Sequence, residues 1–325
     1  MSRSVLVTGG YGLLGGAVVR ACLDRGDRVT VLRRDEDPAS ALVSDGVEPH
    51  CTVVHGDLLA AGLVERAVGE HEVDTVFHLA AQTIVGTARR SPAGTFETNV
   101  RGTWLVLEAC RVLGVERVVV ASSDKAYGPP LELPYREDQP LRPRAPYEAS
   151  KAAADLIARS YWTEYGVPVA VTRCANLYGG GDLNASRLVP EAVGAALAGR
   201  RPVLRSDGSP ERDFLYVEDA ARANVALADA LDDPAAGVRG EAFNAGADRP
   251  HAVRDVVALV FRLAGVDLGP EVRGVGVPEG EIDRQWVDSS RLRDATGWAP
   301  RVGLEEGLGL TLDWYRAHPT ALSGP

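Results

Sequence analysis

Tyr147-Glu-Ala-Ser-Lys151 sets a phenol and an ammonium four residues apart, a spacing that puts both on one face of a helix. An ammonium near a phenol lowers its pKa, so that the phenolate can accept a proton from an alcohol. Ser123 follows a β-like run at 117–122, and a hydroxyl at such a strand end can complete the hydrogen bonding to the reacting oxygen.

A second constellation, Thr8-Gly9-Gly10-Tyr11-Gly12-Leu13-Leu14-Gly15, comes directly after a short apolar run and opens a helical pattern. Strand, glycines, helix is the order a pyrophosphate needs. The glycines permit a tight turn and close backbone approach, and the helix N-terminus offers free N–H groups to the anion. A dinucleotide is therefore expected on Gly9, Tyr11, Gly12, Leu13, Leu14 and Gly15, with Lys151 reaching its nicotinamide ribose. Arg33 and Arg34 end the second strand. Guanidinium groups there suit a 2′-phosphate, which favours NADP over NAD; Asp35, just beyond, would serve NAD instead.

These groups need elements that converge at strand ends. β-like runs at 4–8, 28–32, 51–54, 75–79, 117–122 and 168–173 alternate with amphipathic stretches at 13–25, 58–69, 94–113 and 147–165. The alternation predicts βαβ units and a doubly wound parallel sheet, an α/β fold. The pattern shortens after residue 176: helices at 186–198, 218–231, 253–264 and 304–316, strands near 202–205 and 214–217, and a surface excursion at 265–280. Residues 1–176 read as a dinucleotide-binding domain and 177–325 as a smaller, mainly substrate-binding one, with about 213–240 returning to the first.

Composition narrows the partners. The net charge of -10 (35 Lys+Arg against 45 Asp+Glu) argues against nucleic acid, so an anionic ligand must be met by local donors. No uncharged apolar run is long enough for a membrane span, and Met1-Ser-Arg-Ser leads straight into a strand pattern without a secretory signal. The four cysteines show neither CxxC nor Cys/His ligand spacing, which suits reduced thiols in a cytoplasmic protein. His78 and His55 read as packing residues, and no metal site is expected.

The motifs together resemble the extended short-chain dehydrogenase/reductase family, the NAD(P)-dependent sugar-nucleotide epimerases and dehydratases. Besides the glycine turn and the Ser123, Tyr147, Lys151 set, the likeness runs through Gly56-Asp57-Leu58, His78-Leu79-Ala80-Ala81 and Asn99-Val-Arg-Gly-Thr103. It continues in Arg173-Cys-Ala-Asn176, Arg212-Asp-Phe-Leu-Tyr-Val-Glu-Asp219 and Gly297-Trp-Ala-Pro300. The resemblance implies a Rossmann-type sheet and a nucleotide-diphosphate sugar as substrate. It implies that Asp57 and Leu58 contact the adenine, and that Leu79, Ala80, Ala81, Gln82 and Asn99 line the cofactor. Asn176 and Arg212 would meet the nucleotide's phosphates or base. Arg284 is a candidate clamp for the diphosphate. The helices at 96–113 and 147–165 carry apolar residues beyond one stripe, and their equivalents in the family pair across a two-fold axis, so a homodimer is expected.

Within that family, Ser122-Ser-Asp-Lys-Ala-Tyr-Gly128 discriminates between chemistries. Epimerases usually carry small or apolar residues where Asp124 and Lys125 stand; 4,6-dehydratases carry an acid and a base. A ketone at C4 acidifies the C5 proton, a base removes it, and an acid protonates the departing C6 hydroxyl. Asp124 fits the acid and Lys125 the base. Ala80-Ala81-Gln82 is similar to the turn of CDP-glucose and GDP-mannose 4,6-dehydratases. Tyr178-Gly-Gly-Gly-Asp182 with Arg187-Leu188-Val-Pro190 is similar to a segment of the CDP-glucose enzymes, which makes Arg187 and Leu188 substrate candidates. The expected activity is a nucleotide-sugar 4,6-dehydratase. A 4-epimerase, with Asp124-Lys125 a charge pair on a loop, is the alternative, and a non-catalytic NADP-binding regulator the third.

Overall fold

The computed structural model describes residues 2–204, 206–277 and 282–322. Met1, Arg205 at the end of one expected strand, and residues 278–280 of the expected excursion lie outside them. The first half runs β1 (Ser4–Thr8), α1 (Leu13–Asp24), β2 (Arg28–Arg33), α2 (Ala41–Ser44), β3 (Thr52–His55), α3 (Leu63–Glu70), β4 (Thr75–His78), α4 (Val85–Arg90), α5 (Pro92–Phe96), α6 (Gly102–Leu113), β5 (Arg117–Ala121), α7 (Pro146–Tyr165) and β6 (Val169–Cys174). The second half continues with β7 (Asn176–Tyr178), α8 (Leu188–Leu197), β8 (Val203–Leu204), β9 (Glu211–Tyr216), α9 (Val217–Ala230), β10 (Ala242–Ala245), β11 (Pro250–Ala252), α10 (Val253–Ala264), β12 (Glu271–Val272), β13 (Arg284–Gln285), α11 (Ser290–Thr296) and α12 (Leu304–Ala317).

Seven strands form one sheet in the order β10-β6-β5-β4-β1-β2-β3, every pair parallel. Val118, Val119 and Val120 of β5 are buried because helices cover both faces. Apolar residues of α1 and α9 pack on one face, and those of α3, α6 and α7 on the other. The strand order reverses beside β1, and the cleft outside the strands' C-terminal ends is where such sheets bind ligands.

A smaller layer holds β11, β9, β13 and β7 in one sheet and β12 with β8 in another. Val189, Val193, Val256, Val260, Leu308 and Leu312, from α8, α10 and α12, form its core. The chain then goes back: α9 packs on α1, and β10 pairs with β6 as the seventh strand.

Three local details depart from the periodicity. The expected helix at 58–69 begins only at Leu63, after Gly62 in a left-handed conformation at φ 72°. The expected helix at 94–113 contains a π turn at Glu97–Arg101. β10 has no alternating pattern of its own and is held by its ladder to β6. Among the described residues, no helix is long and apolar enough to cross a membrane, and no group of three His, Cys, Asp or Glu could hold a metal ion.

Candidate active site

The turn after β1 is shaped by its glycines. Gly9 takes φ 76°, and a Cβ there would lie 2.7 Å from the Ala80 nitrogen; a Cβ on Gly15 would lie 1.9 Å from the Gly9 carbonyl oxygen. Among the described residues no side chain caps α1 at Gly12, which leaves the first-turn N–H groups of Leu13 and Leu14 to an anion. A backbone cradle too tight for side chains, opening on an uncapped helix N-terminus, fits a dinucleotide pyrophosphate.

Both arginines at the end of β2 have carboxylate partners. Arg33 Nη1 donates to Glu48 Oε1 at 3.1 Å and its guanidinium lies over the Tyr11 ring, 5.5 Å from the centroid. The Tyr11 hydroxyl donates to the same Glu48 oxygen at 2.5 Å. Arg34 is exposed and pairs with Asp35 at 2.6 Å. Glu48 lies in the connection between β2 and β3, far from any motif.

The turn after β4 is fixed from two sides. Leu79 and Ala80 donate their N–H groups to Thr8 Oγ1 at 3.2 and 3.3 Å. Gln82 donates its N–H to Asn99 Oδ1 at 2.6 Å, and Asn99 Nδ2 donates to Gln82 O and to Ser150 Oγ. The π turn after α5 carries Asn99 to this point, so one side chain ties the Leu79–Ala80–Ala81–Gln82 turn to α7. Leu58 packs against Gly102, while Asp57 is exposed and accepts from the Leu59 N–H. His78, held by Thr8 and Thr103 hydroxyls, is pushed down to about 3 by burial and is a neutral packing residue.

Ser123, Asp124, Lys125, Tyr147 and Lys151 come together at the end of β5. Ser123 caps a 3-10 turn at Asp124–Tyr127, accepting from the Lys125 N–H at 3.2 Å. Its hydroxyl donates to Asp124 Oδ1 at 3.0 Å. Asp124 is 0% exposed, and its Oδ2 has no partner among the described residues. Lys125 Nζ lies 3.5 Å from Asp124 Oδ1 and donates to Asn176 Oδ1 at 2.9 Å.

Burial pushes the Tyr147 phenol up to about 12; the Arg187 guanidinium opposes this, the Asp124 carboxylate adds to it, and the nearby Ser123 hydroxyl lowers it. The Lys151 ammonium donates to the Ala121 carbonyl at 2.8 Å, and burial lowers its own pKa to about 8. Arg187, which lowers the Tyr147 phenol, lies outside the motif.

Of the expected substrate contacts, Asn176 holds Lys125 and donates to the Asp213 carbonyl. Arg187 bridges Asp182 and the Thr83 hydroxyl, at 3.1 and 3.2 Å. Leu188 opens α8 beside it. Arg212 donates to the Glu211 and Asp283 carbonyls. Arg284 is exposed, paired with Glu211 at 2.6 Å and stacked over Trp286.

Motif reading passed over three features of this region. Thr83 accepts from Arg187, Glu48 meets Arg33, and Asp213, accepting from the Ala247 and Asp248 N–H groups, is raised by burial to about 7. Only Asp213, inside the Arg212–Asp219 motif, carried a sequence signal.

The pattern described as the NAD dependent epimerase/dehydratase family matches residues 5–246. A dTDP-glucose 4,6-dehydratase from Mycolicibacterium smegmatis is 35% identical over 321 residues, covering 97% of this chain and 93% of that one. A dTDP-glucose 4,6-dehydratase from Streptomyces griseus is 33% identical over 324 residues, covering 98% and 95%. Among solved structures, the Streptomyces venezuelae dTDP-glucose 4,6-dehydratase with NAD bound superposes at TM-score 0.85 and 33% identity, covering 97% of each chain. A UDP-glucose 4-epimerase from Thermotoga maritima, with UDP-glucose, superposes at TM-score 0.87 and 29% identity, covering 97% and 99%.

Proposed function

Because this chain belongs to the NAD dependent epimerase/dehydratase family, we propose that it is a nucleotide-sugar 4,6-dehydratase, converting a nucleotide-diphosphate hexose to its 4-keto-6-deoxy form with loss of water. The observation that carries this reading is Asp124: a fully buried carboxyl with one oxygen unpartnered among the described residues, beside Lys125, at the strand end that also presents Ser123. A solvated loop pair, as an epimerase would have there, has no reason to be buried. Burying a carboxylate with an oxygen unmet costs free energy that only a ligand or a proton can offset.

When bound, the nicotinamide dinucleotide supplies the transient oxidation at C4 and the return of the same reducing equivalents at C6. The residues that would hold it are the Gly9–Gly15 turn, the Leu79–Gln82 turn and Lys151. Tyr147 and Ser123 take the C4 hydroxyl. With a ketone at C4, Lys125 as its amine removes the C5 proton; that electron pair forms the C5–C6 double bond, and the C6 oxygen leaves as water on a proton from Asp124. Lys125 then returns its proton to C5. Arg187 and Arg212 supply positive charge toward the diphosphate, with Arg284 at the rim.

NADP over NAD is the finer reading of the cofactor. Two guanidinium groups at the end of β2 support it, and a 2′-phosphate would have to take them from Glu48 and Asp35. The seven-stranded sheet would be the dinucleotide domain, to about residue 176, and the smaller sheets the substrate domain. A homodimer is supported by exposed Trp104, Val112, Leu156 and Tyr165 on α6 and α7, apolar side chains that a second copy would cover. Four free cysteines suit the cytoplasm.

The test is mass spectrometry of the protein with CDP-, GDP-, UDP- and dTDP-hexoses, each with NAD or NADP. Loss of one water from one substrate is the expected result. An unchanged mass with a new NMR spectrum would make the protein an epimerase.

A further inference from the structure

At the end of β2 a buried donor lacks an acceptor. Arg33 Nη1 donates to Glu48 Oε1 at 3.1 Å and the guanidinium covers the Tyr11 ring, but Arg33 Nε is buried and has no partner among the described residues. The Tyr11 hydroxyl donates to the same Glu48 oxygen at 2.5 Å. Burial, with Glu48 adding to it, holds the Tyr11 phenol well above its usual range, so it stays a donor. Guanidinium, phenol and carboxylate form one cluster drawn from three segments: the glycine turn, β2 and the connection to β3.

The place of the cluster suggests its use. In a doubly wound sheet the end of the second strand meets the adenosine ribose of a dinucleotide held on the glycine turn. A carboxylate there accepts from the 2′-hydroxyl of NAD, and an arginine accommodates the 2′-phosphate of NADP. In this chain one group of each kind stands there, the two held together by an ion pair. A 2′-hydroxyl both donates and accepts, so it can accept from Arg33 Nε and donate to Glu48. A 2′-phosphate dianion only accepts; it gains the Arg33 charge and meets the Glu48 charge at nearly the same distance. Arg34 and Asp35 also pair, but their side chains are 63% and 67% exposed, and solvent screens them.

Resting on the dinucleotide reading of the glycine turn, and not on the choice between dehydratase and epimerase, we infer that Glu48 sets the discrimination between NADP and NAD. Its carboxylate offsets the Arg33 charge and opposes a 2′-phosphate. NADP is therefore held less tightly than two arginines alone would hold it. The same carboxylate gives NAD an acceptor for its 2′-hydroxyl, which β2 itself does not supply. Asp35, the acid nearest in sequence to the strand end, has the smaller influence because it stands in water.

The test reads binding, not turnover. The unaltered protein and its variants are dialysed to equilibrium against equal concentrations of NAD and NADP, and the bound dinucleotides are released and counted by mass spectrometry. Glu48→Gln keeps the size of the side chain and an acceptor for Tyr11 and Arg33 while removing the charge. The bound NADP-to-NAD ratio is expected to rise at least about fivefold. Glu48→Ala, which removes the hydrogen bonds as well, should raise it likewise, and Arg33→Met should lower it. Asp35→Asn should change it less than about twofold.

A rise under about fivefold in both Glu48 variants overturns the inference, as does a larger rise in Asp35→Asn than in Glu48→Gln. If Glu48 only braces the connection between β2 and β3, its loss weakens both dinucleotides together and the ratio stays where it was. An unaltered protein that holds more NAD than NADP removes the NADP preference alone, and the rise in Glu48→Gln then still supports the role of Glu48. A protein that holds neither removes the cofactor reading and this role with it.

Discussion

One four-residue turn, Asp124–Tyr127, has two buried polar ends with opposite fates. At its far end the Tyr127 hydroxyl donates to Asn244 Oδ1 and accepts from Arg173 Nη1, both at 2.8 Å. Arg173, 1% exposed, holds Asp155 with two further hydrogen bonds, at 2.8 and 3.1 Å. Asp155 lies one helical turn beyond Lys151 and two beyond Tyr147, so this pair fixes the height and rotation of α7 against β6. At its near end the turn carries Asp124, equally buried, with one oxygen unmet among the described residues. A satisfied buried network rigidifies; an unsatisfied one waits for a ligand or a proton. The difference separates the satisfied end, a frame, from the unsatisfied one within a single 3-10 turn, about 6 Å of rise.

The contrast can be attacked from both ends. The largest effect is expected at the chemical end: Asp124→Asn keeps size but removes the acid, and water loss should fall by about 10² to 10⁴-fold while protein stability changes little. Retained water loss would put Asp124 with the frame. At the other end, Arg173→Met leaves the Asp155 carboxylate buried without its partner. Urea denaturation should show a loss of about 3–5 kcal/mol; a change under about 1 kcal/mol would mean the frame is not what holds α7.

Lys151 sharpens the comparison through pH. Its folded pKa is lowered to about 8 from an ordinary 10.5, so the ammonium is present below about 8 and lost above it. C4 oxidation should therefore weaken as pH rises through about 8. Between about 8 and 10.5 the unfolded chain binds the extra proton, so this group's contribution to stability rises over the same range. Rates that hold steady to pH 10 would remove the Lys151 charge from the mechanism. The smallest effect is expected from Tyr127→Phe, which deletes one hydroxyl and keeps the ring stacked on Tyr135. About 1 kcal/mol of stability should be lost, with water loss slowed a few-fold.

Much of this was legible in the residues. The strand–helix alternation gave six of the seven strands of the main sheet, because each carries its own apolar pattern. β10 was not visible: Ala242-Phe-Asn-Ala245 has no period, and only the ladder to β6 makes it a strand. The π turn was hidden for a similar reason, since inserting one residue into a helix leaves its composition unchanged while carrying Asn99 to the Gln82 turn.

Residue types and local spacing by themselves determined the glycine cradle, the Tyr147–Lys151 face and the acid beside a base at 124 and 125, because backbone conformation and helical periodicity are short-range. The tertiary structure alone decided which charges act on one another. It turned Lys151 toward the Ala121 carbonyl, set Arg187 against the Tyr147 phenol and brought Glu48 to Arg33. Electrostatic influence depends on distance and burial, and both are fixed only when segments remote in sequence pack together.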